Sequence, residues 1–238
     1  KGIVLSGGAI YGLLHLGAVE KVDKDNLDYF SGSSVGSLIC ALLACKIPIN
    51  EIIDKAKAKR ILDKNNINIF NIFESLGIDD SSTIRNWLKD VIGDITFQEI
   101  FNTYGTTLFV SVFNVDLLQV EYFSRFSVPD LKVIDAVVMS CSIPLLMTCK
   151  IYNNFHYIDC CIARERLPYQ PLLEYIDKTE ILIINVHFDS LESNVNDLFS
   201  YLFRILNYTL RNEKLIPNDI QLVNLRPNGT IKVFDMYD

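Results

Sequence analysis

Leu27-Asp28-Tyr29-Phe30-Ser31-Gly32-Ser33-Ser34-Val35-Gly36-Ser37-Leu38-Ile39-Cys40-Ala41-Leu42-Leu43-Ala44 passes from a short apolar segment, through a turn of small residues, into a stretch that is apolar all round. The pattern predicts a strand over Leu27–Phe30, a sharp turn at Gly32–Gly36, and a central helix covered on every side. A serine placed between two glycines at such a turn is forced into a strained backbone conformation, while the glycines let neighbouring segments approach without a clash. Its hydroxyl is lifted to the helix N-terminus, where free N–H groups and the dipole favour developing negative charge. Gly32-Ser33-Ser34-Val35-Gly36 therefore reads as a nucleophile elbow, with Ser34 as the candidate nucleophile.

Outward from the elbow, strands alternate with helices. Gly2 to Leu5 is an apolar run ending in Ser6-Gly7-Gly8, and from Ile10 the apolar residues follow helical spacing to Val22. Pro48-Ile49-Asn50 opens a helix through about Ile61, residues 63–80 read as loop, Ser82 or Thr83 caps a helix with Trp87 and Leu88, and Thr96 caps another. Thr107 to Val115 is a long β-branched and aromatic strand that Val120 to Phe123 can pair with, and a helix follows over about 130–140. A hairpin of 150–152 and 155–159 turns at Asn153-Asn154, Glu180 to Phe188 reads as a strand buried on both faces, 193–213 as an amphipathic helix, and Ile220 to Leu225 as a last strand. This alternation predicts an α/β fold, a three-layer sandwich around a central, mostly parallel sheet, in a single domain over residues 1–238.

Composition narrows the function. Half of the 238 residues are apolar, and 22 basic against 29 acidic residues leave 22 − 29 = −7, which disfavours phosphate-tracking nucleic-acid binding. No apolar run approaches the roughly 18–20 residues that a spanning helix needs. The chain opens on Lys1 rather than Met, from which we expect that residues precede it. The cysteines, at 40, 45, 141, 149, 160 and 161, show neither C-x-x-C pairs nor zinc-ligand spacing with histidine, and sit mostly in apolar stretches. We expect them reduced, in a cytosol-like compartment.

A serine nucleophile needs a base. Of the three histidines, His15 falls on the core-facing stripe of the first helix and reads as a packed residue; His156 lies in the 155–159 strand; His187 ends a buried strand just ahead of Asp189 and is a legitimate triad candidate. In ordinary α/β-hydrolases, however, the serine follows several strands, whereas only two precede Ser34. The alternative base is Asp159, delivered where its strand leaves the sheet; a carboxylate within about 2.6–3.2 Å can take the serine proton directly. Its other reading is a turn residue closing the hairpin. An oxyanion site is offered by Ser6-Gly7-Gly8-Ala9, whose small residues leave the N–H groups of Gly7, Gly8 and Ala9 open. The rival reading, a mononucleotide turn, lacks both the G-x-G-x-x-G spacing and the Lys-Ser/Thr of a P-loop.

These pieces resemble the patatin-like phospholipases. Gly7-Gly8-Ala9-Ile10-Tyr11-Gly12 looks like their glycine-rich oxyanion loop, Gly32-Ser33-Ser34-Val35-Gly36 matches their elbow, and Met139-Ser140-Cys141-Ser142-Ile143-Pro144 is similar to their A-S-x-A-x-P segment. Tyr157-Ile158-Asp159 with Leu167-Pro168 resembles the strand carrying the family's dyad aspartate, so the likeness runs from residue 2 to about 172. The resemblance implies a Ser34–Asp159 dyad with no histidine, metal or cofactor, an oxyanion hole of Gly7, Gly8 and Ala9, and hydrolysis of phospholipid or lysophospholipid esters through an acyl-enzyme. Three positions depart from the pattern: Tyr11 replaces a usual Arg or Lys, Ala9 a common glycine, and Cys160-Cys161 the Gly-Gly/Ala after the aspartate. If that last turn requires a left-handed backbone, a non-glycine costs about 1–2 kcal/mol and the strand end shifts. The alternative function is accordingly a lapsed homologue, kept as a lipid-binding or protein-interaction module.

Lys55, Lys57, Lys59 and Arg60 precede Ile67, Ile69, Phe70, Ile72 and Phe73. Cationic plus apolar surface suits a lipid interface, so residues 55–73 are an expected lid or peripheral membrane edge on an otherwise cytoplasmic protein; the competing reading is a solvated helix face and a loop packed on the core. The sequence leaves oligomeric state open.

Overall fold

The computed structural model describes residues 1–58, 68, 71–163, 165–187 and 216–226. Its centre is a sheet in the order β10-β9-β1-β2-β4-β8-β7, with β5 also on β4. The strands are β1 (Gly2–Leu5), β2 (Tyr29–Ser33), β4 (Thr107–Asn114), β5 (Gln119–Phe123), β7 (Lys150–Tyr152), β8 (Phe155–Ile158), β9 (Ile181–Val186) and β10 (Gln221–Leu225). From β10 through β4 neighbours run parallel, while β5, β8 and β7 add antiparallel pairs. The expected α/β architecture with a mostly parallel central sheet is what the chain forms.

Alternation sorts the sheet's apolar residues to two faces. Ile3, Leu5, Phe30, Leu108, Val110 and Val112 join the main core with the helices, whereas Val4, Phe109, Ile181 and Ile183 pack on Leu167, Tyr169 and Leu172. The helices of the main core are α1 (Leu13–Val19), α2 (Val35–Ala44), α3 (Ile49–Ala58), α5 (Ser82–Ile92), α6 (Phe97–Tyr104) and α7 (Val133–Ser140). Every residue of α2 from Gly36 to Ala44 is buried, as its all-round apolar sequence requires. Thr96 and Glu99 close α6 with a reciprocal capping box. The helix expected over 193–213 lies outside the described residues, as do 59–61 of the one expected to end near Ile61.

Three expectations change. The stretch 63–80 is not simply loop: α4 (Asn71–Ser75) and β3 (Gly77–Asp79) occupy its end, and β3 pairs in parallel with β6 (Leu145–Met147). Three-residue strands are too short to show a period, and this pairing depends on a missing side chain, since a Cβ on Gly77 would lie 2.1 Å from the Met147 carbonyl oxygen. The N-cap position of α5 falls to Ser81 rather than Ser82 or Thr83, without a capping hydrogen bond from its side chain; it sits in the left-handed region (φ 63°), its N–H donating to Asp79 Oδ1 at 2.7 Å. Finally, β2 extends to Ser33, three residues beyond the predicted Phe30, and so runs directly into the elbow. At the hairpin, Asn153 (φ 49°) and Asn154 (φ 65°) turn the chain as their sequence indicated.

Candidate active site

β2 ends at Ser33 and α2 begins at Val35, so Ser34 alone makes the corner. Its backbone is at φ 53°, ψ −130°, a conformation costing a serine about 1–3 kcal/mol. The two glycines enforce it. A Cβ on Gly32 would lie 2.5 Å from the Gly36 carbonyl carbon, and one on Gly36 would lie 2.3 Å from the Leu5 carbonyl oxygen. The elbow is thus pressed against the end of β1, and the residues that continue from β1 arrive beside the serine. A Cβ on Gly7 would stand 3.4 Å from Ser34 Cβ. Gly7 and Gly8 are buried, Ala9 opens a 3-10 turn to Gly12, and Tyr11 N–H donates to Gly8 O at 3.0 Å. Among the described residues none accepts a hydrogen bond from the Gly7 or Gly8 N–H.

The position of Asp159 follows from sheet register. β5 covers Val110–Asn114 of β4 on one edge, overlapping the residues that pair with β2 and those that pair with β8, so β2 and β8 share the opposite edge. On that edge β2 ends with Ser33 opposite Ser111, and β8, running the other way, ends with Ile158 opposite Phe113. Each register continued by one residue reaches Val112: the chain ends carrying Ser34 and Asp159 converge head-on. Asp159 is 1% exposed, and follows the strand's inner end rather than the hairpin turn.

The Ser140–Ser142 segment, which begins at the last residue of α7, ties the two ends together. Ser34 N–H donates to Ser140 Oγ at 2.9 Å, Ser140 Oγ donates to Ser111 O at 2.7 Å, and Asp159 N–H donates to Ser142 O at 2.9 Å. Cys141, between them, has its thiol pushed up out of the ordinary range by burial and by the Asp159 charge, against opposing hydrogen-bond contacts with the Ser34 and Ser37 side chains. A thiol so raised stays protonated at neutral pH and does not compete with Ser34 as a nucleophile.

The Cys160-Cys161 departure resolves without strain at its first residue. Residues Cys160–Ala163 form a 3-10 turn, and Cys160 is buried and has no left-handed φ.

The histidines fall elsewhere. His15 is fully buried, its Nε2 donating to Ser6 O at 2.9 Å, and burial holds its pKa down to about 4, so it is neutral. His156 faces Asp116 at the surface, Nδ1 to Oδ2 3.1 Å. His187 lies past the end of β9, two strands from β2 and so roughly 10 Å away across the sheet, and its N–H donates to Leu225 O. Its expected partner Asp189 lies outside the described residues. Of the 55–73 edge, Lys55 pairs with Glu51 at 3.0 Å, Phe73 is 84% exposed, and Lys59, Arg60, Ile67, Ile69 and Phe70 are outside the described residues. No described helix is long and apolar enough to cross a membrane.

Sequence reasoning did not single out Ser140, Cys141, Ser142 or Arg166 as site residues. The first three lie in the Met139–Pro144 segment, whose resemblance was the available signal. Arg166 had none.

A family model described as Patatin-like phospholipase matches residues 3–173. The chain is similar to the probable lipid hydrolase 463L of Invertebrate iridescent virus 6, 27% identical over 98% of this chain and 87% of that protein. It is also similar to Triacylglycerol lipase 4 of Saccharomyces cerevisiae, 30% identical over 60% of this chain but only 17% of the lipase. Among solved structures, VipD from Legionella pneumophila shares the fold with a TM-score of 0.61 at 15% identity, over 99% of this chain and 64% of VipD.

Proposed function

This chain belongs to the patatin-like phospholipase family, a family of lipid hydrolases, and from that premise we propose that it cleaves fatty-acyl esters of phospholipids or lysophospholipids with Ser34 as nucleophile and Asp159 as base. The observation that carries the reading is the meeting of β2 and β8 on one edge of β4, which directs a strained serine and a buried carboxylate toward the same register position, Val112.

Ser34 Oγ attacks the ester carbonyl carbon as Asp159 takes its proton. The carbonyl oxygen becomes an oxyanion held by the N–H groups of Gly7, Gly8 and Ala9 and by the N-terminus of α2. Collapse of this intermediate expels the alcohol, which recovers the proton from Asp159, and leaves an acyl-serine. Asp159 then deprotonates a water that attacks the acyl carbon, and the fatty acid leaves as Ser34 is reprotonated.

A fluorophosphonate probe should label the wild-type protein and not Ser34→Ala. Asp159→Asn should lower kcat on mixed phospholipid vesicles by about 10²- to 10⁴-fold, the range for loss of a general base. His187→Gln should leave hydrolysis largely intact, and a large loss there would shift the base to histidine. Absence of Ser34-dependent labelling would instead favour a lapsed lipid-binding module. Peripheral membrane contact through the 55–73 edge is part of the same proposal, with the exposed Phe73 as its contact: Phe73→Ser should weaken vesicle binding and spare soluble-ester hydrolysis. Equal loss of both would point to folding.

A further inference from the structure

Arg166 is a buried cation that the reaction above leaves without a part. Only 6% exposed, it directs Nη2 to two backbone carbonyls, Gly7 O at 3.3 Å and Val186 O at 2.7 Å. We propose that Arg166 is the positioning residue of the oxyanion loop, orienting and polarising the Gly7–Gly8 peptide so that the Gly8 N–H meets the reacting oxygen; this rests on the acyl-hydrolase reading.

In a trans peptide the carbonyl and the following N–H point to opposite sides of the chain. With the Gly7 carbonyl turned onto the guanidinium, the Gly8 N–H is turned away from it, and among the described residues no group takes that donor up. The peptide starts beside the serine, since a Cβ on Gly7 would stand 3.4 Å from Ser34 Cβ. Drawing electron density toward the carbonyl oxygen also strengthens the N–H of the same amide, and a charge-assisted bond does so more than a neutral one. Arginine keeps its charge at every working pH. The remaining contacts pin the loop's root: Val186 N–H donates to Ser6 Oγ at 2.9 Å, and His15 holds Ser6 O. Arg166 reaches one residue further, to the peptide that must face the substrate, and through Val186 it braces that peptide on β9. Its place in the chain, seven residues after Asp159, means that one segment delivers both the base and the support of the oxyanion loop.

The experiment compares Arg166→Met and Arg166→Lys with wild type on a soluble p-nitrophenyl ester and on a long-chain alkyl trifluoromethyl ketone. Ser34 adds to the ketone to give an oxyanion that the loop must hold. Arg166→Met should lower kcat and ketone affinity together, each about 10- to 100-fold, with KM changed less than threefold. Arg166→Lys, whose single nitrogen can replace Nη2, should restore most of both. Folded variants with wild-type kcat, or a loss of kcat that leaves ketone affinity unchanged, would overturn the proposal. Should Arg166→Met fail to fold, Arg166→Gln takes its place. If both neutral variants fail to fold while Arg166→Lys is wild type, the residue holds the fold and the proposal is lost. A wild-type protein without Ser34-dependent turnover would bring down the hydrolase reading itself, and this inference with it.

Discussion

Where β2 turns into α2, backbone lies on backbone, and an added methyl on Gly36 or Gly32 has nowhere to go. Just past the end of β8, at Asp159, the chain is held by a hydrogen bond to Ser142 O and continues through two cysteines in a 3-10 turn. The serine's end is fixed by sterics, with one hydrogen bond from Ser34 N–H to Ser140 Oγ added, and the acid's end by polar contacts alone. A steric junction specifies its residues one by one. A hydrogen-bonded one tolerates substitution as long as donor and acceptor persist, so Cys160 can stand where the patatin-like pattern has glycine.

The contrast is broken most directly at Gly36. Gly36→Ala puts a Cβ within 2.3 Å of the Leu5 carbonyl oxygen and 2.6 Å of Ser6 O, and since both are backbone atoms we expect a loss of about 4 kcal/mol or more, read as failure to fold or a collapse of the urea midpoint. Next comes His15, which supports the loop root. Its folded pKa of about 4 lies below the usual 6.5, so its neutral form is the one the fold accepts. The stability it secures is complete above pH 6.5 and is lost as pH falls toward 4, by about 3 kcal/mol. His15→Gln should flatten the melting temperature across that window. Ser140→Ala strips the acceptor of Ser34 N–H and the donor to Ser111 O, for about 1–3 kcal/mol, and kcat should fall more than KM rises. Smallest is Cys160→Ala, which leaves the polar anchors of Asp159 in place: about 1 kcal/mol in chemical denaturation, with turnover within twofold of wild type. A collapse there as large as that at Gly36 would erase the distinction between the two junctions.

The steric junction was the legible one. Gly32, Ser34 and Gly36 sit within five residues, and the apolar run of α2 announces a buried helix, so local spacing carried strand, corner and helix. The long strand β4 and the Asn153-Asn154 hairpin were readable for the same reason. Short-range pattern fails where contacts are distant: β3 and β6 are three residues each and meet across the chain, Ser140 reaches Ser34 from 106 positions away, and Arg166 reaches Gly7 from 159. Asp159 stood between these cases. Its type and place at a strand end were visible, but its approach to Ser34 depends on both strands choosing the same edge of β4, which no spacing encodes.

That shared edge limits where the chain can grow. Neither β2 nor β8 can lengthen at its inner end without displacing the other, and one extra residue between Tyr157 and Asp159 would turn the carboxylate to the opposite face of the sheet. Insertions are tolerable at the far hairpin, around Asn153-Asn154, where they leave the pairing of Tyr157 and Ile158 with β4 untouched. Length variation among natural or engineered versions of this chain should therefore gather at that outer tip, and a single-residue deletion within 157–159 should silence the enzyme while leaving most of its hydrophobic interior assembled.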